Sequence, residues 1–285
     1  MKTYCGLVLL LSTISGSALA SPLSLQVYNP QHHGMFPVSS VLVSGPEHAI
    51  LFDAQFSTQD GEKLVQMIRQ GGKPLQMIVI TAGDPDFYFG LEPLVNAFPG
   101  VKVVASPNVV AHIRATRKAK LAFWGPQMKD GAPQRTIVPE ALTRSTITLD
   151  GNTIELRRSN SYAAYVWIPE SKTILGGTAV SSGIHVWTAD TQSRKQRSEW
   201  RHILTEMQHL HPRQVIPGHY LGQRPAGDQA VTFTLRYLQD FEHVLAANKQ
   251  AAEVTRVMKA HWPTLEDDSA LALSAKVNSG EMRWP

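Results

Sequence analysis

The spacing of hydrophobic and polar positions predicts a strand-rich first half. Short runs that alternate between apolar and polar residues, or that are apolar along most of their length, are typical of β-strands. Five such runs occur before residue 106: Leu23–Tyr28, Ser39–Ser44, Ala49–Phe52, Gln76–Thr81 and Val101–Ala105. The run Gln76–Thr81 has the nearly continuous apolar pattern expected of a strand buried on both faces.

Stretches with helical spacing separate these strands. Ser57 and Asp60 form a capping box, and apolar positions behind it recur at the period of an amphipathic helix. Gly90–Phe98 and Pro107–Arg117 are also predicted to be helical, whereas residues 125–143, with several Pro and Gly, are expected to form a surface loop. This alternation predicts an α/β protein with helices on the outer face of a mixed sheet.

The second half predicts another set of short strands, followed by helices. The strand-like runs are Ser145–Leu149, Thr153–Arg157, Ala164–Ile168, Thr173–Leu175 and Val215-Ile216. Apolar residues between Trp200 and Leu210 lie at helical spacing, and residues 227–280 are predicted to be helical. Because no stretch has the composition of a linker, residues 21–285 are expected to form one domain with C-terminal helices.

The first 20 residues have the composition of a secretion signal. Lys2 gives a positive start, an apolar stretch begins at Gly6–Leu11, and Ala18 to Ala20 offer a small-x-small cleavage site. Cleavage near Ala20 predicts a periplasmic or secreted protein of 285 − 20 = 265 residues. The single cysteine, Cys5, lies within this signal, so we expect neither a disulfide nor a cysteine metal ligand in the mature protein.

Composition and charge narrow the classes of partner. Apolar residues make up 43% of the chain and charged residues 18%, which excludes a disordered chain. No run after residue 20 is long and apolar enough to predict a membrane span. The net charge is 27 − 23 = +4, and the basic clusters Arg114–Lys120 and Arg194–Arg201 are short, so nucleic-acid binding is not expected. The expected partner is a small-molecule ligand or substrate, and the oligomeric state stays open.

Polar residues collect behind two of the predicted buried strands. Residues 81–87, with the sequence T-A-G-D-P-D-F, follow one strand, and residues 217–220, P-G-H-Y, follow the other. In α/β sheets the carboxyl ends of strands are the usual place for functional sites. Neither a Gly-x-Ser-x-Gly elbow nor a phosphate-binding loop occurs. These two segments therefore supply the first candidates for chemistry.

Four segments in this order resemble the metallo-β-lactamase fold superfamily. Ala49–Asp53 resembles its I-L-I-D strand, residues 81–87 its T-H-x-H-x-D-H motif, Leu175–Gly177 its bridging-Asp segment, and residues 217–219 its P-G-H turn. The chain also resembles exported members with P-V-S-S-V-L-V, D-P-D-x-Y-F-G-L, H-V-W-x-A-D-T-Q and P-G-H-Y-L-G. The resemblance implies an αββα four-layer sandwich, with a site between loops 82–88, 159–162, 177–192 and 217–222.

The same resemblance implies a dinuclear zinc site, most of whose ligands are replaced in this chain. The lost ligand positions are Ala82, Phe87, Ser159 and Gly177. Asp86 and His219 keep their ligand types, and Asp84 stands where the superfamily has a histidine. A catalytic zinc normally has three protein ligands and a water, so we do not expect two zinc ions.

Two interpretations of Asp84, Asp86 and His219 remain open. In one, they bind a single divalent ion, Zn²⁺, Mn²⁺, Fe²⁺ or Mg²⁺, and hydrolyse an ester, lactone or amide. In the other, no cofactor is bound, the aspartates stabilise a helix start, and His219 hydrogen-bonds to Asp86. We favour the second interpretation, a degenerate site in a non-catalytic protein that binds a ligand or partner in the old cleft.

A third segment supplies further candidates. His185, Trp187 and Asp190 are expected on the rim of the site, where His185 would be a substitute ligand or base beside Asp86 and His219. Trp124 and Tyr220 are expected to line the substrate cleft together with His185 and Trp187. The alternative for each of these residues is a packing role.

Overall fold

The computed structural model describes residues 21–284. The predicted secretion signal at residues 1–20 lies outside the described residues. Within the part of the chain that is described, no helix is both long and apolar enough to cross a membrane, in agreement with the expectation from the sequence.

The first sheet contains six strands that lie side by side in chain order. They are β1 (Ser24–Tyr28), β2 (Ser40–Ser44), β3 (Ala49–Phe52), β4 (Leu75–Ile80), β5 (Lys102–Ala105) and β6 (Glu140–Ala141). The pairs β1–β2 and β2–β3 are antiparallel, whereas β3 to β6 run parallel. Parallel pairing places the carboxyl ends of β3 and β4 side by side at one edge of the sheet.

Helix α1 (Thr58–Gly71) covers the outer face of this sheet. The hydroxyl of Ser57 accepts the backbone N–H of Asp60, which confirms the predicted cap. The helix ends at Gly72, whose φ of 66° lies in the left-handed region that favours glycine. Leu64 and Ile68 on the inner side of the helix are buried in the core.

Three more helices follow in this half, α2 (Pro85–Tyr88), α3 (Leu91–Ala97) and α4 (Pro107–Met128). The prediction of a surface loop at 125–143 is wrong in its first part, because α4 continues through Pro126 to Met128. Leu121, Trp124 and Met128 pack against the core cluster of the first sheet. This packing stabilises the last turns of α4, although proline removes a hydrogen bond inside a helix.

The second sheet contains five strands in the order β12-β10-β9-β8-β7. Their bounds are β7 (Thr146–Leu149), β8 (Asn152–Arg158), β9 (Ala164–Ile168), β10 (Thr173–Leu175) and β12 (Gln214–Ile216). Neighbouring strands are antiparallel except β10 and β12, which are parallel. Two further short strands, β11 (Ser181–Ser182) and β13 (His219–Tyr220), pair with each other in parallel.

The two sheets pack face to face through apolar side chains. Along β7, Ile147 and Leu149 are buried while Thr146 and Thr148 are exposed, so one face of the strand points to the core. Phe52 of the first sheet and Val166 of the second are fully buried in the same cluster. The sheets therefore enclose one common hydrophobic layer.

Helices also cover the outer face of the second sheet. α5 (Arg194–His209) begins with a capping box, and α6 (Gln229–Ala247) lies beside it. Their apolar side chains pack on the outer face of β9 and β10. α7 (Ala251–His261) and α8 (Asp268–Asn278) pack in turn against α6. The order of layers is helix, sheet, sheet, helix, which confirms the predicted α/β four-layer sandwich.

Candidate functional site

A buried hydrogen-bond network joins the two sheets at the carboxyl ends of β3 and β4. Asp53 accepts hydrogen bonds from the backbone N–H of Thr81 at 2.7 Å and from its hydroxyl at 2.6 Å. The same hydroxyl accepts the backbone N–H of Gly177 at 2.7 Å. Burial raises the pKa of Asp53 to about 7, although the bonds from Thr81 act against this rise. Asp53 therefore supports the loop that carries the site.

Asp86 and His219 lie close enough to this network to influence Asp53, and they contact each other. Asp86 is in the single turn of α2, and His219 begins β13 after a Pro-Gly turn. The Nε2 atom of His219 is 2.5 Å from the Oδ2 atom of Asp86. Burial tends to lower the pKa of His219, but the hydrogen bond and the charge of Asp86 outweigh burial and raise it. The structure thus brings together two of the three predicted metal ligands as a hydrogen-bonded pair.

The third predicted ligand, Asp84, forms a different contact. Its Oδ1 atom is 2.7 Å from Nζ of Lys120, which comes from α4. Burial tends to lower the pKa of Lys120, but the charge and hydrogen bond of Asp84 raise it, so the amine stays an ammonium ion. Ligand atoms that share a metal ion lie close together. Within residues 21–284, the ligand atoms of Asp84, Asp86 and His219 do not all lie within 4.8 Å of one another. Sequence reasoning missed Lys120, since its basic cluster has the pattern of a solvated helix face.

One three-residue group of metal-ligand type does occur in the described residues, at Glu47, His48 and Asp150. It lies beyond the amino end of β3, opposite to Asp53. The Oδ2 atom of Asp150 accepts the backbone N–H groups of Glu47 and His48 at 2.8 and 2.9 Å. The hydrogen bond from the imidazole of His48 is the main cause that lowers the pKa of Asp150 to about 2. These bonds hold the segment before β3 against the turn between β7 and β8.

Two lost ligand positions are occupied by packed apolar side chains. Ala82 is fully buried and forms an isolated antiparallel bridge with Ala163. Phe87 is also fully buried, and its ring lies edge-to-face with the imidazole of His219 at a centroid distance of 5.4 Å. Neither side chain has a donor atom for a metal. The space that the superfamily resemblance assigns to ligands is therefore part of the hydrophobic core here.

The other two lost positions lie where backbone segments approach closely. Gly177 has a φ of 71°, and a Cβ atom there would lie 2.1 Å from the carbonyl oxygen of Ala164. A Cβ atom at Gly218 would lie 1.8 Å from the carbonyl oxygen of Gly177. The backbone N–H of Ser159 donates to the carbonyl of Ala163 at 3.1 Å. At position 177 this packing leaves no room for a side chain.

His185 is buried, contrary to the prediction that it lies on the rim. Only 1% of the residue is exposed, and its Nδ1 atom is 3.0 Å from the hydroxyl of Tyr237 on α6. Its Nε2 atom is 3.8 Å from the carboxylate of Asp268 on α8. Burial lowers the pKa of His185 despite the nearby carboxylates. The residue belongs to the contact between the 181–188 segment and the C-terminal helices.

Of the two residues that were predicted to line the cleft, Trp124 packs against other aromatic rings and Tyr220 is buried. The ring of Trp124 lies edge-to-face with Phe36 and Phe56 at centroid distances of 5.3 and 5.7 Å. Tyr220 is buried, and its backbone carbonyl accepts the side-chain amide of Asn29 at 3.1 Å. The contacts of Trp124 are those expected of a residue with a packing role, the alternative to lining the cleft.

Trp187 and Asp190 hydrogen-bond to each other at the rim, and Trp284, a residue near the C-terminus, bonds to the same carboxylate. The indole N–H of Trp187 donates to Oδ2 of Asp190 at 2.5 Å, and that of Trp284 donates to Oδ1 at 2.9 Å. Burial and, next, the charge of Asp84 raise the pKa of Asp190. The contribution of Trp284 was not predicted, because 94 residues separate it from Asp190.

A cleft of about 710 Å³ opens next to this rim. Its wall includes loop 158–162, residues 190–191 and the first half of α5. Two of the four loops expected around the site therefore contribute to it. Loop 82–88 is closed against the wall, because the backbone N–H of Gly83 donates to the carbonyl of Tyr162 at 2.8 Å.

Solved structures with this fold include several metallo-β-lactamases. A metallo-beta-lactamase family protein from Thermus thermophilus has a TM-score of 0.61 at 16% identity, over 90% of this chain and 91% of that chain. A metallo-beta-lactamase from Pontibacter korlensis has a TM-score of 0.51 at 21% identity, over 78% and 96%. FIM-1 from Pseudomonas aeruginosa, in its mono-zinc form, has a TM-score of 0.51 at 16% identity, over 76% and 90%. At such identities the likeness shows the fold alone.

Family membership rests on the sequence itself. No curated protein matches the chain significantly. Residues 33–219, which include β2 to β12 and the Asp86–His219 pair, match the family model of the metallo-beta-lactamase superfamily. The chain therefore belongs to the metallo-beta-lactamase superfamily.

Proposed function

We propose that this protein is an exported superfamily member without a dinuclear zinc centre, and that it binds a small molecule in its cleft without hydrolysing it. Export to the periplasm or beyond is the part of the proposal that rests on residues 1–20 alone. The absence of hydrolysis rests on the residues that occupy the superfamily's metal-ligand positions. The binding role rests on the cleft beside them.

The backbone geometry at Gly177 carries this proposal. A bridging carboxylate at this position needs a side chain, and its Cβ atom would lie 2.1 Å from the carbonyl oxygen of Ala164. Real Cβ contacts are essentially never shorter than 3.0 Å, so β9 would have to move. The φ of 71° adds strain for any residue with a side chain. With Ala82 and Phe87 in the core as well, the residues present do not fit two zinc ions.

The Asp84–Lys120 contact supports the same conclusion. A metal ion on Asp84 would have to compete with an ammonium group that already lies 2.7 Å from the carboxylate. It would also have to break the hydrogen bond between Asp86 and His219. Each of the three remaining donors therefore has a partner within the protein, which lowers the gain from binding an ion.

A hydrolase with one metal ion is the second candidate function. The observation that favours a hydrolase is the proximity of Asp86 and His219, since a carboxylate and an imidazole already face each other. An ion held by these two residues and Asp84 would polarise a carbonyl group or activate water. This function requires Asp84 to bind the ion either through the oxygen that does not accept Lys120 or after Lys120 has moved away.

Hydrolysis assays distinguish the two functions. The chain is tested with p-nitrophenyl acetate, a lactone and a chromogenic amide, with and without Zn²⁺, Mn²⁺ or Fe²⁺. We expect no turnover above the rates of the His219→Ala and Asp86→Asn variants. Turnover that both substitutions abolish, and that the exposed-residue control His209→Ala retains, would overturn the proposal in favour of the hydrolase.

A further inference from the structure

The cleft beside the rim has the dimensions of a small-molecule site. Its volume of about 710 Å³ lies within the usual range for ligand pockets, roughly 300–1,000 Å³. Tyr162 from loop 158–162, Trp200 from α5 and Asp190 all line its wall. The chemistry of these three residues indicates what kind of molecule fits.

Asp190 is a carboxylate that accepts hydrogen bonds but has no salt-bridge partner of its own among the described residues. Two indole N–H groups, from Trp187 and Trp284, fix its two oxygen atoms. Within residues 21–284, no Lys, Arg or His side chain lies within salt-bridge distance of it. The charge of Lys120 acts to lower the pKa of Asp190, but this ammonium group contacts Asp84, so one cation serves two carboxylates. A charge that is taken partly out of water is costly unless an opposite charge compensates it. A bound cation would provide that compensation.

Two aromatic side chains, Tyr162 and Trp200, line the cleft. The indole N–H of Trp200 donates to the carbonyl oxygen of Ala179 at 2.8 Å, so the donor of this side chain is already used. What remains for a ligand is the π-face, which attracts cations because of its quadrupole. A carboxylate beside aromatic rings is the combination that recognises organic ammonium groups.

The basic residues of the cleft are engaged with their own neighbours. Nε of Arg158 donates to the carbonyl of Asn160 at 3.0 Å, and Nε2 of His202 is 3.3 Å from the carboxylate of Glu206. Glu199 adds a second carboxylate to the wall, and its Lys195 partner is 3.9 Å away and largely exposed. The wall therefore holds two carboxylates, Asp190 and Glu199, against the single guanidinium of Arg158, next to its aromatic side chains.

We propose that this cleft binds a small organic cation, an amine or quaternary ammonium compound, with Asp190 as the counter-ion and Tyr162 and Trp200 as its aromatic walls. The inference rests on the function proposed above, in which the cleft holds a ligand. It adds the chemical class of that ligand.

A matched pair of probes tests this inference on the unmodified chain. Choline and 3,3-dimethylbutan-1-ol have nearly the same shape, but only choline carries a charge. Their binding is followed through the indole N–H signals of Trp187, Trp200 and Trp284 in two-dimensional NMR. We expect choline to shift these signals and to bind at least about tenfold more tightly than the neutral alcohol, which corresponds to about 1.4 kcal/mol.

Two variants locate the charge that matters. Asp190→Asn keeps the shape of the side chain and should weaken choline binding about tenfold or more, whereas the exposed control Asp130→Asn should leave it unchanged. Equal binding of both probes would overturn the cation class but leave ligand binding in place. A lack of shift with choline, tetramethylammonium and a primary amine would also overturn the cation class. Neither result depends on the hydrolysis assay, which tests the proposed function separately.

Discussion

The imidazole of His219 and the carboxylate of Asp86 face each other across 2.5 Å, although 133 residues separate them in the chain. The Pro-Gly turn before β13 and the single turn of α2 bring them together. These are the two residues that keep the ligand types of the superfamily. In this structure Nε2 of His219 and Oδ2 of Asp86 hydrogen-bond to each other. Each of these two potential metal-ligand atoms therefore already has a partner within the protein.

This pair predicts an elevated pKa for His219. Burial acts to lower it, but the hydrogen bond to Asp86 and its charge prevail, and the pKa rises above the ordinary value of 6.5. The pair therefore stabilises the fold fully below about pH 6.5, and this stabilisation is lost as the pH rises through the folded-state pKa. NMR titration of the His219 ring measures it directly. In Asp86→Asn the pKa should fall, and an unchanged value would contradict the assigned pairing.

The close approach at Gly177 predicts a large loss of stability in Gly177→Ala. Gly222→Ala is the matched control, because Gly222 has a similar φ of 75° but nothing within 4 Å of the new Cβ. The control should lose about 1–2 kcal/mol from backbone strain. Gly177→Ala should lose about 1–3 kcal/mol more, the usual cost of overpacking. Urea denaturation measures both, and equal losses would mean that β9 moves away without cost.

The contact with Asp84 predicts that Lys120→Met is destabilising. The substitution leaves a partly buried carboxylate without its cation, and we expect the free energy of unfolding to fall by roughly 1–3 kcal/mol. Lys118→Met, two residues away on the exposed side of α4, should change it by less than about 0.5 kcal/mol. If both variants unfold at the same denaturant concentration, Lys120 does not stabilise Asp84 in solution.

The network behind the site predicts a strong effect of Thr81→Val. Its hydroxyl donates to Asp53 and accepts the backbone N–H of Gly177, and all three groups are buried. Removal leaves Oδ2 of Asp53 and the N–H of Gly177 without this partner, although Oδ1 of Asp53 keeps the backbone N–H of residue 81, and the loss should cost about 2–5 kcal/mol. Thr205→Val is the control, because the hydroxyl of Thr205 bonds only to the carbonyl of Arg201 within α5. A loss no larger than that of the control would show that water replaces the hydroxyl.

Asp53 predicts a pH dependence of stability with a defined sign. Burial raises its folded-state pKa to about 7, whereas an aspartate in an unfolded chain ionises near pH 3.9. Between these values the folded state binds the additional proton, so this residue makes stability fall as the pH rises from about 4 to about 7. Denaturant titrations across this range in the unmodified chain and in Asp53→Asn test the sign. A steeper fall in the variant would contradict it.

Local patterns were sufficient to predict most strands and helices, and the resemblance to the superfamily supplied their arrangement as a sandwich. The Ser57–Asp60 cap and the continuous apolar run before residue 81 each fix an element without long-range information. The end of α4 was not predicted, since proline and glycine in residues 125–143 are loop signals. Packing of Trp124 on Phe36 and Phe56 outweighs these signals, and no short-range pattern contains that contact.

The candidate site was predictable in its residue types but not in its pairings. The motif positions indicated that Asp84, Asp86 and His219 lie behind the carboxyl ends of two buried strands, which the structure places in different sheets. Which carboxylate meets which cation depends on α4, which approaches from the other side of the site and supplies Lys120. In the same way, burial of His185 depends on α6 and α8, whose docking the local sequence around residue 185 does not encode.

The metal content of the purified protein tests the central claim most directly. The chain is produced with its own first 20 residues, purified without chelator or metal-affinity steps, and analysed by elemental mass spectrometry before and after dialysis against Zn²⁺ or Mn²⁺. We expect close to zero ions per chain in each case. One or two ions per chain, lost in His219→Ala but retained in His209→Ala, would contradict the account and show that Asp86 and His219 exchange their mutual hydrogen bond for a metal.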